Sequence, residues 1–145
     1  MKNARHARGF RDLLVYRKAH EVAKRIFDIS RNFPKEEVYS LTDQIRRASR
    51  SIGTQIAEAW GKRRYEKHFV SKLTDADAEQ METQHWLDMA ASCGYMPEEK
   101  KEILETTLQE IGRMLNTMMA KSHLFCRQDF FIIKEESKAF LIDDN

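Results

Sequence analysis

Residues 14–34 read LVYRKAHEVAKRIFDISRNFP, and this stretch decides the fold class. Its apolar side chains return at alternating steps of four and three residues, which places them on one face of an α-helix. Proline cannot continue a helix and disfavours helical geometry in the residue before it, so Pro34 ends the segment. The stretch predicts one long amphipathic helix with an inner face of Val15, Ala19, Val22, Ile26, Ile29 and Phe33.

The same periodicity predicts three further helices beyond Pro34. Helix three is predicted from about Glu66 to Ser92 and has a more polar inner face than the others. The predicted core residues are Leu41, Ile45, Ala48, Ile52, Ile56 and Ala59 in helix two; Phe69, Leu73, Ala76, Gln80, Thr83, Leu87 and Ala90 in helix three; and Leu104, Leu108, Ile111, Leu115 and Met118 in helix four, with Ile103, Met114 and Met119 widening that face.

Short segments between these helices carry turn and capping signals. Ser40, followed three residues later by Asp43, resembles a helix N-cap. Gly94 suits a left-handed C-terminal cap, and Pro97 suits the first position of helix four. Because short connections between long amphipathic helices imply antiparallel neighbours, the sequence predicts an all-α, antiparallel up-down four-helix bundle.

The bundle is predicted to occupy residues 10–122, between two different flanking segments. Residues 1–9 are predicted to form a flexible basic arm, and residues 123–145 form a C-terminal tail. The tail is apolar at 130–133 and 140–142, between charged residues. An exposed segment of this kind would favour aggregation, so we expect it to pack as a strand or short helix on the bundle or on a neighbouring subunit.

Charge is divided unequally between the two halves of the chain. Residues 1–64 carry 16 Lys and Arg against 7 Asp and Glu, whereas residues 65–145 carry 9 against 16. Such asymmetry indicates nucleic-acid contact, or head-to-tail association of identical chains with complementary faces. Both interpretations stay open.

Basic side chains cluster on helices one and two and at the corner that follows. Phosphate binding requires several cations, because affinity comes mainly from counterion release. The same side chains could instead pair with acids four residues away, as Arg17 or Arg25 with Glu21, and Lys24 with Asp28. Those of helix two could pair within the bundle or across a subunit boundary. The candidate nucleic-acid-binding residues are Arg17, Lys18, Lys24, Arg25, Arg46, Arg47, Arg50, Lys62, Arg63 and Arg64.

Aromatic side chains have two interpretations. Tyr16, Tyr39, Trp60 and Tyr65 could stack on bases. We favour the alternative, in which they anchor the core or an interface, because large aromatic side chains dominate such contacts.

No motif for catalysis or cofactor binding is evident. Glu82 and His85 have the spacing of a di-iron ligand pair, but such bundles need a second copy of the motif and a glutamate from each remaining helix. Cys93 and Cys126 have no ligand-like spacing, so we expect reduced thiols in a cytoplasmic protein. No apolar run approaches the length that spans a bilayer. We expect no enzymatic activity, no cofactor, no metal and no membrane contact.

The order of several short motifs over residues 10–122 resembles that of the four-helix-bundle proteins encoded in intervening sequences of bacterial 23S ribosomal RNA genes. The motifs are Phe10-Arg11-Asp12-Leu13, Phe33-Pro34-Lys35-Glu36-Glu37, Gln44-Ile45-Arg46-Arg47-Ala48, Ile56-Ala57-Glu58, Glu82-Thr83-Gln84, Ile111-Gly112 and Met114-Leu115-Asn116.

This resemblance implies a four-helix bundle that assembles into a ring-like homopentamer, and it adds no catalytic residue. Family members are similar to the accessory protein that works with reverse transcriptase in diversity-generating retroelements, a basic pentamer that binds nucleic acid and the polymerase. The resemblance thus implies RNA or DNA as a ligand and a reverse transcriptase as a candidate protein partner. The chain departs from the family pattern at Gly53, where Pro is usual, and at Gln55, where Asn is usual.

Two functions fit these observations. The first is a non-enzymatic, homo-oligomeric nucleic-acid-binding accessory or scaffold protein that uses a basic surface from helices one and two. The alternative is a protein-interaction adaptor whose charge asymmetry serves subunit assembly and whose C-terminal tail docks a partner.

Overall fold

The computed structural model describes residues 7–126, and most of them lie in four long helices. Short 3₁₀ turns precede the first two helices, residues 122–126 are again helical, and no strand occurs within the described range. Most of the predicted arm and tail lies outside it. The helices are α1 (Leu14–Ser30), α2 (Leu41–Gly61), α3 (Glu66–Ser92) and α4 (Glu98–Ala120), and the 3₁₀ turns are Phe10–Asp12 and Lys35–Glu37.

The predicted inner faces form the core of an all-helical fold. α1 packs against α2 and α4, and α3 packs against the same two helices. Every predicted core residue of α2 and α3 is buried, including the polar Gln80 and Thr83. Full burial of each large aliphatic side chain contributes about 1.5–3 kcal/mol, so these faces supply the main driving force for folding. The all-α prediction is confirmed.

Three details of the predicted apolar faces differ. α1 ends at Ser30, so Phe33 lies beyond the helix, although it is buried and its ring centre is 5.8 Å from that of Tyr95. Ile29 is only half-buried. Ile103 was predicted to widen the inner face of α4 but is 58% exposed, because it borders a depression between α1 and α4 that is open to solvent.

The predicted helix boundaries are confirmed in part. Gly94 has a φ of 76°, the left-handed cap that its position predicts. Pro97 lies one residue before α4 rather than at its first position. Ser40 occupies the N-cap position of α2 and Asp43 lies in its first turn, as predicted. Ser40 makes no side-chain capping bond, because its Oγ donates to the carboxylate of Glu37 at 3.0 Å instead.

The polar centre of α3 is satisfied by a network that reaches α4. Nε2 of Gln80 donates to Oδ1 of Asp77 at 2.9 Å, and Oε1 of Gln80 accepts from Gln84 at 2.6 Å. On α4, Asn116 donates to the other carboxylate oxygen of Asp77 at 3.4 Å. Gly112 faces this network, since a Cβ there would lie 2.8 Å from Nε2 of Gln80. A helical glycine thus makes room for a buried amide.

Candidate nucleic-acid interface

Three arginine side chains converge on one phenylalanine ring where α1 packs against α2. The distances from Cζ to the centre of the Phe27 ring are 4.9 Å for Arg46, 5.6 Å for Arg50 and 5.8 Å for Arg31. All three lie within the range of cation–π attraction, about 6 Å. We call these four residues the Phe27 cluster.

Arg46 is held in the cluster by the end of α1. Its Nε donates a 2.8 Å hydrogen bond to Oγ of Ser30, which in turn donates to the carbonyl of Phe27 at 2.9 Å. Ser30 is buried and is the last residue of α1. Because carbonyl groups at a helix C-terminus carry partial negative charge, this end of α1 favours cations. Helix packing therefore fixes one guanidinium, while Arg31 and Arg50 remain exposed.

The Phe27 cluster has no acidic counterpart in the part of the chain that the structure describes. Arg31, Arg46 and Arg50 form no ion pair with any Asp or Glu there. Among the same described residues, Lys24 forms none either, so its predicted pairing with Asp28 does not occur. The outcome is a group of neighbouring positive charges whose mutual repulsion an approaching anion would relieve.

A groove of about 500 Å³ runs along the same seam between α1 and α2. Small side chains from both helices line it, and aromatic and basic side chains flank it. Its volume lies within the range of ligand-binding clefts. The lining residues are Phe10, Tyr16, Ala19, His20, Ala23, Lys24, Phe27, Arg50, Gly53, Thr54 and Ala57.

At least four of the ten candidate cations are paired with carboxylates of the described residues. The pair between Lys18 and Glu110 joins α1 to α4, and it lowers the pKa of Glu110 through a hydrogen bond and charge attraction. Arg17 does not use Glu21, its predicted partner. The pairs are Lys18–Glu110 at 2.9 Å, Arg17–Asp12 at 3.9 Å, Arg25–Glu21 at 3.5 Å and Arg47–Asp43 at 3.1 Å.

The predicted basic corner lies far from the Phe27 cluster. Arg63 stacks on Trp60, with Cζ 3.5 Å from the ring centre, and donates from Nε to the Trp60 carbonyl at 2.9 Å. Lys62 and Arg64 are exposed beside it. Since each helical residue rises 1.5 Å, this corner is about 25 Å along α2 from Arg46. The ten candidates therefore occupy at least two separate places.

The aromatic side chains expected to anchor the core or an interface, or alternatively to stack on bases, occupy separate places. Tyr16 is half-buried and packs edge-on against Phe10, with ring centres 4.9 Å apart. Tyr39 is 94% exposed and Tyr65 is 59% exposed, so neither belongs to the core. The sequence prediction overlooked Phe27 as a site residue. The one sequence feature that points to Phe27 is its position between Lys24 and Arg31, which are seven residues apart and lie on the same face of α1.

Acidic side chains crowd one another on α3. Burial raises the pKa of Glu79, and the neighbouring charges of Glu82 and Asp75 raise it further. Near the start of α4, Lys101 lies 3.0 Å from both Asp88 and Glu98, and these hydrogen bonds raise the pKa of Lys101. Within residues 7–126, only part of the acidic surface is thus neutralised by neighbouring cations.

Residues 7–126 hold neither a metal-binding cluster nor a membrane-spanning helix. No group of three or more His, Cys, Asp or Glu side chains there is arranged to hold a metal ion. His85, which has di-iron-like spacing from Glu82, packs edge-on against Trp86 with ring centres 4.8 Å apart. None of the helices in that range combines the length and apolarity needed to cross a membrane.

A solved structure with the same fold comes from Bacteroides thetaiotaomicron. It is described as a protein of unknown function from the S23 ribosomal protein family, and it superposes on this chain with a TM-score of 0.67. The two sequences are 29% identical over 74% of this chain and 96% of the other. No curated protein matches the chain.

Family membership follows from a sequence match that spans most of the bundle. The model for the 23S rRNA-intervening sequence proteins matches residues 11–117, a range that includes all of α1, α2 and α3 and most of α4. The match covers the Phe27 cluster and the network around Gln80. The chain belongs to the 23S rRNA-intervening sequence protein family.

Proposed function

We propose that this protein is a non-enzymatic nucleic-acid-binding accessory or scaffold protein that contacts phosphates through α1 and α2. The observation that carries the proposal is the Phe27 cluster, in which three guanidinium groups meet without a carboxylate from the described residues. Guanidinium groups match phosphate geometry, and their contacts release counterions from a polyanion. Lys24 extends this charge along the groove.

The proposal narrows the contact surface that the sequence predicts. Arg17, Lys18, Arg25 and Arg47 already have carboxylate partners, so their contribution to phosphate binding is smaller. Exposed pairs of this kind are weak and open readily, which keeps them compatible with a peripheral role. The Phe27 cluster and Lys24 form the centre of the proposed interface.

We propose further that the four helices form an antiparallel up-down bundle and that copies of the chain close into a ring, as a pentamer. Support comes from the short connectors at 62–65 and 93–97 and from the resemblance described above. A ring would repeat the Phe27 cluster in every subunit, and linked sites bind one strand with higher avidity than single sites. Light scattering on the purified chain measures the number of copies.

A titration of labelled RNA and DNA against salt tests the proposed function. We expect binding at low salt, with an affinity that falls steeply and linearly on logarithmic axes as salt rises. Absence of binding at low salt, or an affinity that salt does not change, would contradict the proposal. Light scattering under the same conditions establishes which assembly is being titrated.

A protein-interaction adaptor is the second candidate, and the crowded acids of α3 favour it. Burial raises the pKa of Glu79, and the charges of Glu82 and Asp75 raise it further. A basic face of another copy would relieve the repulsion among these carboxylates. In this account, replacing Arg46 and Arg47 changes the mass of the assembly, and no nucleic-acid binding exists to lose. Deletion of residues 124–145 should then abolish contact with a protein partner. A polymerase such as a reverse transcriptase is the partner that the resemblance implies.

A further inference from the structure

The groove between α1 and α2 combines three chemical features that phosphate binding alone does not require. Small residues from both helices, among them Ala23, Gly53 and Ala57, leave an open trough. Aromatic rings line the α1 side of the trough. Cations stand at its edge. A surface that bound only a polyanion backbone would need cations and hydrogen-bond donors but no trough lined with aromatic rings.

The aromatic rings follow one face of α1. Tyr16, His20 and Phe27 are separated by four and seven residues, which places them along the same side of the helix. The ring centres of Tyr16 and His20 are 6.1 Å apart, and Phe10 packs edge-on against Tyr16. His20 is exposed, and both Tyr16 and Phe27 are half-buried and line the groove. Such a row is a platform on which planar rings can stack.

The cations line the same groove as the aromatic rings. Lys24 lies between His20 and Phe27 on α1, and Arg50 faces it from α2. From Arg46 to Ala57 the α2 side of the seam is about 16 Å long, which is long enough for a short stretch of an extended strand. Aromatic rings and cations therefore lie along one trough.

We propose that this groove binds single-stranded nucleic acid, with bases stacked on Tyr16 and His20 of α1 and phosphates on Lys24 and the arginines of the Phe27 cluster. The inference rests on the proposed function and adds the class of nucleic acid. A duplex hides the faces of its bases in the helical stack and presents only phosphates and base edges. A single strand exposes both the faces and the phosphates, so it alone uses every feature of the groove.

Gly53 provides a direct test because it lies in the groove wall within α2. A Cβ at this position would meet only the Tyr16 ring, at an ordinary 3.5 Å, so the side chain of a leucine here would lie against that ring. Gly53→Leu fills the trough and leaves every charge in place. Gly61→Leu is the matched control, because Gly61 is in the last turn of the same helix and a Cβ there meets no atom within 4 Å.

The experiment measures fluorescence anisotropy of the full-length protein with a labelled single-stranded oligonucleotide and with the duplex formed from it. The native protein should bind the single strand at least tenfold more tightly than the duplex. Gly53→Leu should weaken single-strand binding by roughly tenfold, the loss of about one stacked base, with an unchanged dependence on salt. Gly61→Leu should stay within about twofold of the native protein, well below the loss of one stacked base.

A fluorescent adenine analogue in the strand provides a second measurement that does not depend on the Gly53→Leu variant. Its emission should be quenched on binding to the native protein, because the analogue stacks on aromatic rings. Equal affinity for single strand and duplex, or no quenching, would overturn the inference while leaving the proposed function intact. Failure of both nucleic acids to bind would remove the proposed function itself. Tight binding of an acidic peptide that the single strand cannot displace would overturn the inference in favour of a protein ligand.

Discussion

Oγ of Ser30 accepts a 2.8 Å hydrogen bond from Nε of Arg46, and this bond joins the last residue of α1 to the middle of the basic surface on α2. The bond holds the guanidinium against the Phe27 ring, where Arg31 and Arg50 also lie. Side-chain packing between two helices thus orders a cationic surface that would otherwise consist of independent flexible side chains. Less conformational entropy is then lost when an anion binds.

Ser30→Ala should loosen Arg46 and reduce nucleic-acid affinity by about threefold, because ordering one long side chain on binding costs about 0.5–1.5 kcal/mol. Ser49→Ala is the matched control. Ser49 is equally buried and donates to the Arg46 carbonyl at 3.2 Å, so its loss lowers stability without freeing the guanidinium. Anisotropy titrations of both variants, with thermal unfolding alongside, check the prediction. Equal loss of affinity in the two variants would show that Ser30 acts only through stability.

Replacing each of two helical glycines with alanine should change the stability of the fold in opposite directions. Gly53→Ala should stabilise the fold by about 0.5–1 kcal/mol, because alanine favours the helix. Its Cβ meets Tyr16 at an ordinary 3.5 Å. Gly112→Ala gains the same helix propensity but forces the buried amide of Gln80 away from Asp77. We expect a net loss of about 1 kcal/mol. Chemical denaturation at one protein concentration measures both, and a gain of stability in both variants would contradict the packing around Gln80.

The crowded acids of α3 predict a specific dependence of stability on pH. The folded-state pKa of Glu79 is raised, chiefly by burial and then by Glu82 and Asp75, so the ionised carboxylate costs stability at neutral pH. The cost is removed as pH falls through the raised pKa. Glu79→Gln should therefore stabilise the protein at pH 7 by a few tenths of a kcal/mol, after allowance for solvent screening.

Thermal unfolding across the acid range checks this prediction for Glu79. The advantage of Glu79→Gln over the native protein should shrink as pH falls below the raised pKa, because both side chains are then neutral. Glu102→Gln, at an exposed position on α4, serves as the control and should change stability little at any pH. If the stability gained by Glu79→Gln grew as pH fell, the upward shift assigned to the pKa of Glu79 would be contradicted.

The sequence predicts the helices well where apolar periodicity is strong. The bounds of α3 agree with the prediction at both ends, and all seven residues of its predicted inner face are buried. Prediction failed where local signals compete with tertiary packing. Ser40 has the spacing of a cap, but Glu37 is the nearer partner of its hydroxyl. Phe33 continues the period of α1 after the helix itself has ended.

The composition of the candidate site was harder to predict, because ion pairing depends on distances between helices. Lys18 is separated by 92 residues from Glu110, its partner, and no sequence spacing indicates that contact. Phe27 lies beside the apolar stripe of α1 and has no independent signal. The sequence could therefore identify which side chains are basic but could not separate the paired ones from the Phe27 cluster.

In this account the Phe27 cluster, and not basic charge in general, binds nucleic acid. A comparison of two triple variants of equal net charge tests it most directly. Arg31, Arg46 and Arg50 are replaced by Gln in one, and the carboxylate-paired Arg17, Arg25 and Arg47 are replaced in the other. On a single strand, each neutralised phosphate contributes about 0.7 to the slope of log affinity against log salt concentration. The first variant should therefore reduce this slope by about 2, and the second should reduce it by less than half as much. Equal reductions of the slope in the two variants would contradict the account.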